Sequence, residues 1–226
     1  MTNTAPSERR LQDLPVFPLP KLVLFPGTML PLHVFEPRYR DMLADCLRAA
    51  PTRMIAVAQL KPGWEPAYEG RPAIYDVAGV GRITEHTRNP DGTYDIVLDA
   101  VARVHLRELP PEGLSYRRAQ ATVLHDRVPN AGVDAVQLAA LVSLATRIST
   151  IVKRALPGFA LQAQSGDAPA LLTDRIADQL VLDPAVRQDL LETLDVASRV
   201  RTLTAHLAQL HTALSAASND APPTLH

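Results

Sequence analysis

Apolar and polar positions change rhythm once along this chain. Up to about residue 128 the apolar residues come in short runs broken by proline and glycine. Beyond residue 133 they recur every three or four positions. In the first part, LPVFPL (14–19) and MLPLHVF (29–35) predict short extended segments. Proline offers no N–H to a ladder, so these segments are expected at sheet edges or at interruptions. A helix follows. Pro37 suits a first helical position, and Tyr39, Met42, Leu43, Cys46 and Leu47 then share one face. MIAVAQL (54–60) reads as a buried strand. YDVAGVGRI (75–83) reads as a strand whose small residues Ala78, Gly79 and Gly81 predict a bulge or close backbone packing. Asn89-Pro90-Asp91-Gly92 is a hairpin signal between it and the long or bent strand YDIVLDAVARVHLREL (94–109). A further strand is expected near YRRAQATVLHD (116–126). Six strands with one early helix predict a small, partly closed β structure.

The second part reads as helices. Leu141, Leu144, Ile148, Ile151 and Val152 mark one face of a helix over about 134–156, stopped by Pro157-Gly158. Asp167 is expected to begin another, carrying Leu172, Ile176 and Leu180. Asp183-Pro184 opens a third as cap and first residue. Asp195 marks a break before the last helix, where Val196, Val200, Leu203, Leu207, Leu210 and Leu214 form a heptad seam. That seam packs within its own bundle or on a second copy. The expected organisation is a tail over 1–12, a β subdomain over 13–128, a helical subdomain over 133–217 and a tail over 218–226. Both tails are disordered by composition.

Composition narrows the function classes. The chain has 226 residues and a net charge of −1, which does not draw it toward nucleic acid or an anionic membrane. One cysteine, Cys46, excludes an internal disulfide and fits a reducing compartment. The N-terminal stretch lacks an apolar signal region, and no apolar run approaches the ~20 residues of a bilayer span. A cytoplasmic, non-membrane protein is expected.

Only three of the 23 basic residues are lysine (Lys21, Lys61, Lys153), and none lies in a phosphate-binding Gly-Lys-Ser/Thr loop. The seven histidines form no metal-binding pattern with each other or with Cys46, so neither metal nor cofactor is expected. Ser149 and Lys153 sit four residues apart on a helix, the spacing of a Ser–Lys dyad. They flank the apolar positions that define the buried side and are expected in solvent, where lysine keeps its proton. Cys46, on an apolar helix face, reads as a core thiol. The remaining feature is the loop Lys61–Pro72, with the only tryptophan, Trp64, beside Tyr68. Aromatics on a stiff loop bury large areas at little entropic cost. They either make contacts with a partner or fold back to cap the β core.

Leu14-Pro15-Val16-Phe17-Pro18-Leu19, followed by Val23-Leu24-Phe25-Pro26-Gly27 and Leu30-Pro31-Leu32, resembles the opening of the Lon protease N-terminal domain. His33-Val34-Phe35-Glu36-Pro37-Arg38-Tyr39-Arg40 is similar to the stand-alone bacterial proteins of this type. Tyr75–Ile83, Pro90–Thr93 and Leu190–Val196 fit the same order, so the likeness spans about residues 13–215. It implies an α+β fold: an N-terminal PUA-like, partly closed β-barrel with one helix, followed by a C-terminal α-helical bundle. It also implies recognition of protein substrates, because ATP hydrolysis and proteolysis in Lon belong to other domains. Ser149 and Lys153 therefore do not inherit Lon's catalytic pair.

The expected function is a non-catalytic module that binds proteins or unfolded peptide segments, an adaptor in proteolysis or quality control. Phe25, Met29, Trp64 and Tyr68 are its candidate contacts, and the final helix is a candidate homodimer surface. The alternative is a PUA-like RNA binder, disfavoured by near-neutral charge and scarce lysine.

Overall fold

The computed structural model describes residues 10–48, 53–164 and 166–219. The chain divides into two units, Met1–His125 and Asp126–His226, and each builds its own core. The architecture is α+β.

The first unit holds strands β1 (Arg10–Leu19), β2 (Met29–Val34), β3 (Met54–Gln59), β4 (Val77–Arg88), β5 (Tyr94–Glu108) and β6 (Arg117–Leu124), with helix α1 (Pro37–Arg48) after β2. They form one mixed sheet in the order β2-β5-β4-β3-β1-β6, and β6 pairs with β5 as well. The long strand β5 makes this possible. Tyr94–Asp99 pair with β2, and Arg103–Glu108 pair with β6. The hairpin at Asn89–Gly92 joins β4 to β5, with Gly92 at φ +83° and its N–H donating to the Asn89 carbonyl at 2.9 Å.

Two expectations about β1 are corrected. The strand begins at Arg10, where Arg10 and Leu11 pair with Thr122 and Ala121, so residues 10–12 belong to the sheet. Residues 1–9 and 220–226, the rest of the expected tails, lie outside the described residues, and helix α5 (Val196–Asn219) takes 218 and 219. Nor is β1 an edge, despite Pro15 and Pro18. It lies between β3 and β6, but β6 pairs with positions 10–16 and β3 with positions 16–19. Each proline therefore sits where the strand is paired on one side only, and its missing N–H breaks no ladder that needs it.

β3 explains its unbroken apolar run. Ile55 and Val57 enter one core with Phe17, Leu24, Met42 and Leu98. Ala56 and Ala58 enter the opposite core with Val16, Val80, Val104 and Ala119. A strand buried on both faces does not alternate apolar with polar. The helix α1 covers the first core with Tyr39, Met42, Leu43 and Cys46, as its spacing predicts. Small residues in β4 serve both anticipated purposes. The register shifts between Val80 and Gly81, and Gly79 lies directly against the backbone of Leu24.

In the second unit, α2 (Ala135–Ala155), α3 (Pro169–Leu180), α4 (Pro184–Glu192) and α5 pack on one another. Side-chain oxygens cap three of them. Asp134 accepts from the Val136 N–H, Asp183 from those of Ala185 and Val186, and Asp195 from that of Ser198. Asp167 does not start α3. It accepts from the Gln164 N–H and pairs with Arg175 at 2.8 Å. In α5 the seam residues Val196, Val200, Leu203 and Leu207 are fully buried within the unit, while Leu210 and Leu214 are half-buried.

Two helical expectations change. Ser149 is buried beside Ile148, whereas Lys153 is exposed, so the pair does not share an environment. The buried stripe of α2, which packs on α5, runs through Leu141, Ala145, Ile148 and Ser149, rotated from the one inferred from leucine and isoleucine alone. The same helix, 21 residues with a window of mean hydropathy 1.6, is long and apolar enough to cross a bilayer by length and composition. Its alanines raised the hydropathy without forming an obvious apolar run.

A buried cation was not foreseen. Arg199 on α5 is 0% exposed. It donates to Asp126 at 2.8 Å and to the Thr193 carbonyl at 2.9 Å, and it faces the buried Asp174 of α3 at 3.4 Å. Beside it, Arg127 donates its N–H to the Leu194 carbonyl and accepts from that of Val196, which fastens the start of the unit to the α4–α5 junction.

Candidate functional site

The loop after β3 is held at both ends before it presents any side chain. Leu60 donates its N–H to Leu19, and Lys61 to Ala73 at 2.8 Å, while Leu60 and Ile74 form an antiparallel bridge. Gly63 takes a left-handed φ of +84°, which turns the chain into a short 3₁₀ turn over Glu65–Ala67. The N–H groups of Ala67 and Gly70 close the turn on Trp64 and Ala67. Trp64 and Tyr68 meet edge to face, with ring centroids 5.4 Å apart. Both are half-buried and pack against the core that contains Val80 and Leu106. They cap that core with one side and face solvent with the other.

Tyr68 ties the loop to the corner between β2 and α1. Its hydroxyl donates to Glu36 Oε1 at 2.5 Å. Arg38 completes the corner. Its Nε donates to Glu36 Oε2 at 3.0 Å, a terminal nitrogen lies 2.8 Å from the same oxygen, and another donates to the Tyr68 carbonyl at 3.1 Å. The guanidinium lies over two rings, 4.7 Å from the centroid of Tyr39 and 5.0 Å from that of Tyr68. Burial and then the Glu36 carboxylate push the Tyr68 hydroxyl above its usual pKa. Burial alone would lower the Arg38 value, but Tyr39 and Glu36 outweigh it and raise it.

The strand leading into that corner is an edge. Among the described residues β2 pairs with β5 alone, so its other side offers unpaired backbone groups. Met29, Pro31 and His33 point outward in alternation, and Phe35 follows just past the strand. Met29 is 66% and Phe35 63% exposed. His33 bonds to Asp95 at 2.7 Å and stacks on Phe35 at 6.3 Å.

The four sequence-derived contact residues thus separate. Trp64 and Tyr68 come together. Met29 is exposed at the start of β2, at the far end of that strand from the corner. Phe25 is 0% exposed in the core, and its expected contact role is corrected: the segment Val23–Phe25 is drawn inward to pack under β4. Phe35, exposed next to the Glu36–Arg38–Tyr68 corner, was missed. The outward alternation of 29, 31, 33 and 35 was the available signal.

Other chemistry is sparse. Among the described residues no group of three metal-ligating side chains gathers. Cys46 is buried, and desolvation pushes its thiol up to about 12.

The model of the ATP-dependent protease La (LON) substrate-binding domain family matches residues 13–209. The chain is 30% identical over 200 residues to Lon protease 2 of Syntrophobacter fumaroxidans and 32% over 202 residues to Lon protease 2 of Herpetosiphon aurantiacus. These matches take in 88% and 87% of this chain, but it spans only 24% of either relative's length. Among solved structures it is similar to the N-terminal domain of Mycobacterium avium complex Lon protease (TM-score 0.61, 16% identity). It is also similar to the Lon N-terminal domain protein of Xanthomonas campestris (TM-score 0.58, 24% identity). The two comparisons cover 87% and 86% of this chain, and 98% of each structure. At those identities they speak for the fold.

Proposed function

This chain belongs to the LON substrate-binding domain family, and from that premise we propose that it is a recognition module for extended or unfolded segments of other proteins. The observation that carries this reading is the free edge of β2. Its outward residues lead to the exposed Phe35, which is followed by Glu36, the acceptor of the Tyr68 hydroxyl. An extended segment gains backbone bonds from the edge and apolar burial from Met29, Phe35 and the outer sides of Trp64 and Tyr68. Pro31 removes one donor from the strand, which limits pairing to a short stretch and guards against open-ended association. The work is binding without turnover, as an adaptor in proteolysis or quality control, in a cytoplasmic setting. Near-neutral charge favours a protein partner over RNA.

The test uses a reduced, alkylated model protein that stays unfolded. Phe35→Asp and Met29→Asp are expected to weaken its capture, each by about tenfold, the loss of roughly 1.4 kcal/mol of apolar contact. Val136→Asp, on the exposed side of α2, serves as control and is expected to change nothing. Equal capture by all three variants would remove the β2 edge from the reading.

A further inference from the structure

Beside the corner lies a depression lined by Arg38, Tyr68, Arg71, Pro72, Tyr116 and Arg117. Its donors and acceptors are out of balance. The tyrosine hydroxyls are spent, Tyr68 on Glu36 at 2.5 Å and Tyr116 on Asp45 at 2.8 Å. Arg38 is matched by Glu36. Arg117 is 5% exposed and donates to the Pro72 carbonyl at 2.7 Å and, at a longer 3.3 Å, to Glu108. Arg71 is exposed and, among the described residues, has neither an ion pair nor a hydrogen bond within the chain. Three guanidinium groups thus line a site in which two carboxylates, Glu36 and Glu108, pair with them. A guanidinium only donates, so the missing partner is an acceptor, and three cations in one lining favour one that is anionic. Burial outweighs the Glu108 carboxylate and, with Arg71 and Arg38 adding like charge, holds the Arg117 pKa below its ordinary value.

The space sets the size of that partner. The depression has room for about 30 Å³. A water needs roughly 10–15 Å³ by the same reckoning, so the space matches the two oxygens of a carboxylate. We propose that the depression between the loop 61–72 and β6 is a carboxylate-binding subsite that anchors an acidic side chain or the chain end of the bound segment. Arg71 closes on the ligand, and Arg117 and Arg38 form the charged floor. This rests on the peptide-binding reading above, because Tyr68 borders both the corner and the depression.

The direct probe is sodium acetate, compared with sodium chloride at equal ionic strength, followed through the Nε–Hε resonances of the arginines in the full chain. Acetate is expected to shift those of Arg71 and Arg117, and Arg71→Gln, at an exposed position, is expected to weaken its binding by roughly two- to fivefold. Three hexapeptides then separate the sources: an amide with an internal Glu, its Gln twin, and the Gln peptide with a free C-terminus. Tighter binding of the first over the second assigns the subsite to acidic side chains. Tighter binding of the third over the second assigns it to chain ends. Resonances of Arg71 and Arg117 that do not move with acetate would overturn the subsite. So would equal affinity for all three peptides, although that result would leave the peptide-binding surface standing.

Discussion

Gly79→Ala is the substitution for which the structure gives the clearest number. An ideal Cβ at Gly79 would lie 2.0 Å from the Leu24 carbonyl oxygen and 2.8 Å from both its carbonyl carbon and its Cβ. Relief requires a movement of about 1 Å or more, since non-bonded carbon contacts settle at roughly 3.5–4 Å. Neither side can supply it cheaply. Gly79 is paired with Val57 on β3 and Arg103 on β5, so β4 is held on both edges. Leu24 is 2% exposed, between Val23 and Phe25, which are equally buried. Overpacking costs about 1–3 kcal/mol, and each disturbed ladder bond adds about 1 kcal/mol. The smaller entropy of the unfolded alanine chain returns only about 0.4–1 kcal/mol. The net expectation is a loss of about 2–4 kcal/mol. Gly63→Ala is the comparison. It sits in open space at φ +84°, so it carries only left-handed strain of about 1–2 kcal/mol. Urea unfolding followed by the emission of Trp64, the single tryptophan, reports on this unit. A Gly79→Ala midpoint equal to wild type, or higher than that of Gly63→Ala, would mean that the contact with Leu24 relaxes without cost.

Replacing Arg199 with Met removes its bond to Asp126 at 2.8 Å and its contact at 3.4 Å with Asp174, 2% exposed, and is expected to cost about 3–5 kcal/mol; adding Asp174→Asn should restore part of it, as measured by thermal unfolding. With its thiol pushed up to about 12, Cys46 should resist a disulfide reagent at pH 8 in the native protein and react at once in denaturant. Hydrogen bonds from Thr93, from Asn89 and His33, and from Ser198 hold the carboxyls of Asp91, Asp95 and Asp195 below their usual range. A depressed native pKa stabilises above the unfolded value near 3.9, so stability is expected to fall only as pH drops below about 4, and an acid titration by circular dichroism would show it.

The elements and their order were legible because each carries local signals: prolines, capping aspartates, an Asn-Pro-Asp-Gly turn and two clear periodicities. What escaped depends on long-range pairing. Nothing near Pro15 and Pro18 tells that β1 is shared between two neighbours along different stretches. Ser149 was misplaced because the buried stripe of α2 takes in Ala145 and Ser149, small residues that the spacing of leucine and isoleucine does not mark. At the candidate site, the stiffness of the loop and the pairing of Trp64 with Tyr68 could be anticipated. The anchor could not, because Glu36 and Arg38 reach Tyr68 across 32 and 30 positions of sequence. Phe25 looked available only because an aromatic between short strands has no local mark of burial.

An unfolded chain gripped along β2 and the loop that follows β3 would shield the amides of both segments. Amide hydrogen exchange of the full chain, with and without a saturating unfolded model protein, tests it directly. Slowed exchange is expected over Met29–Phe35 and over residues 61–72, with α2 unchanged. Protection on α2 or α5 while β2 and the loop exchange as before would contradict it.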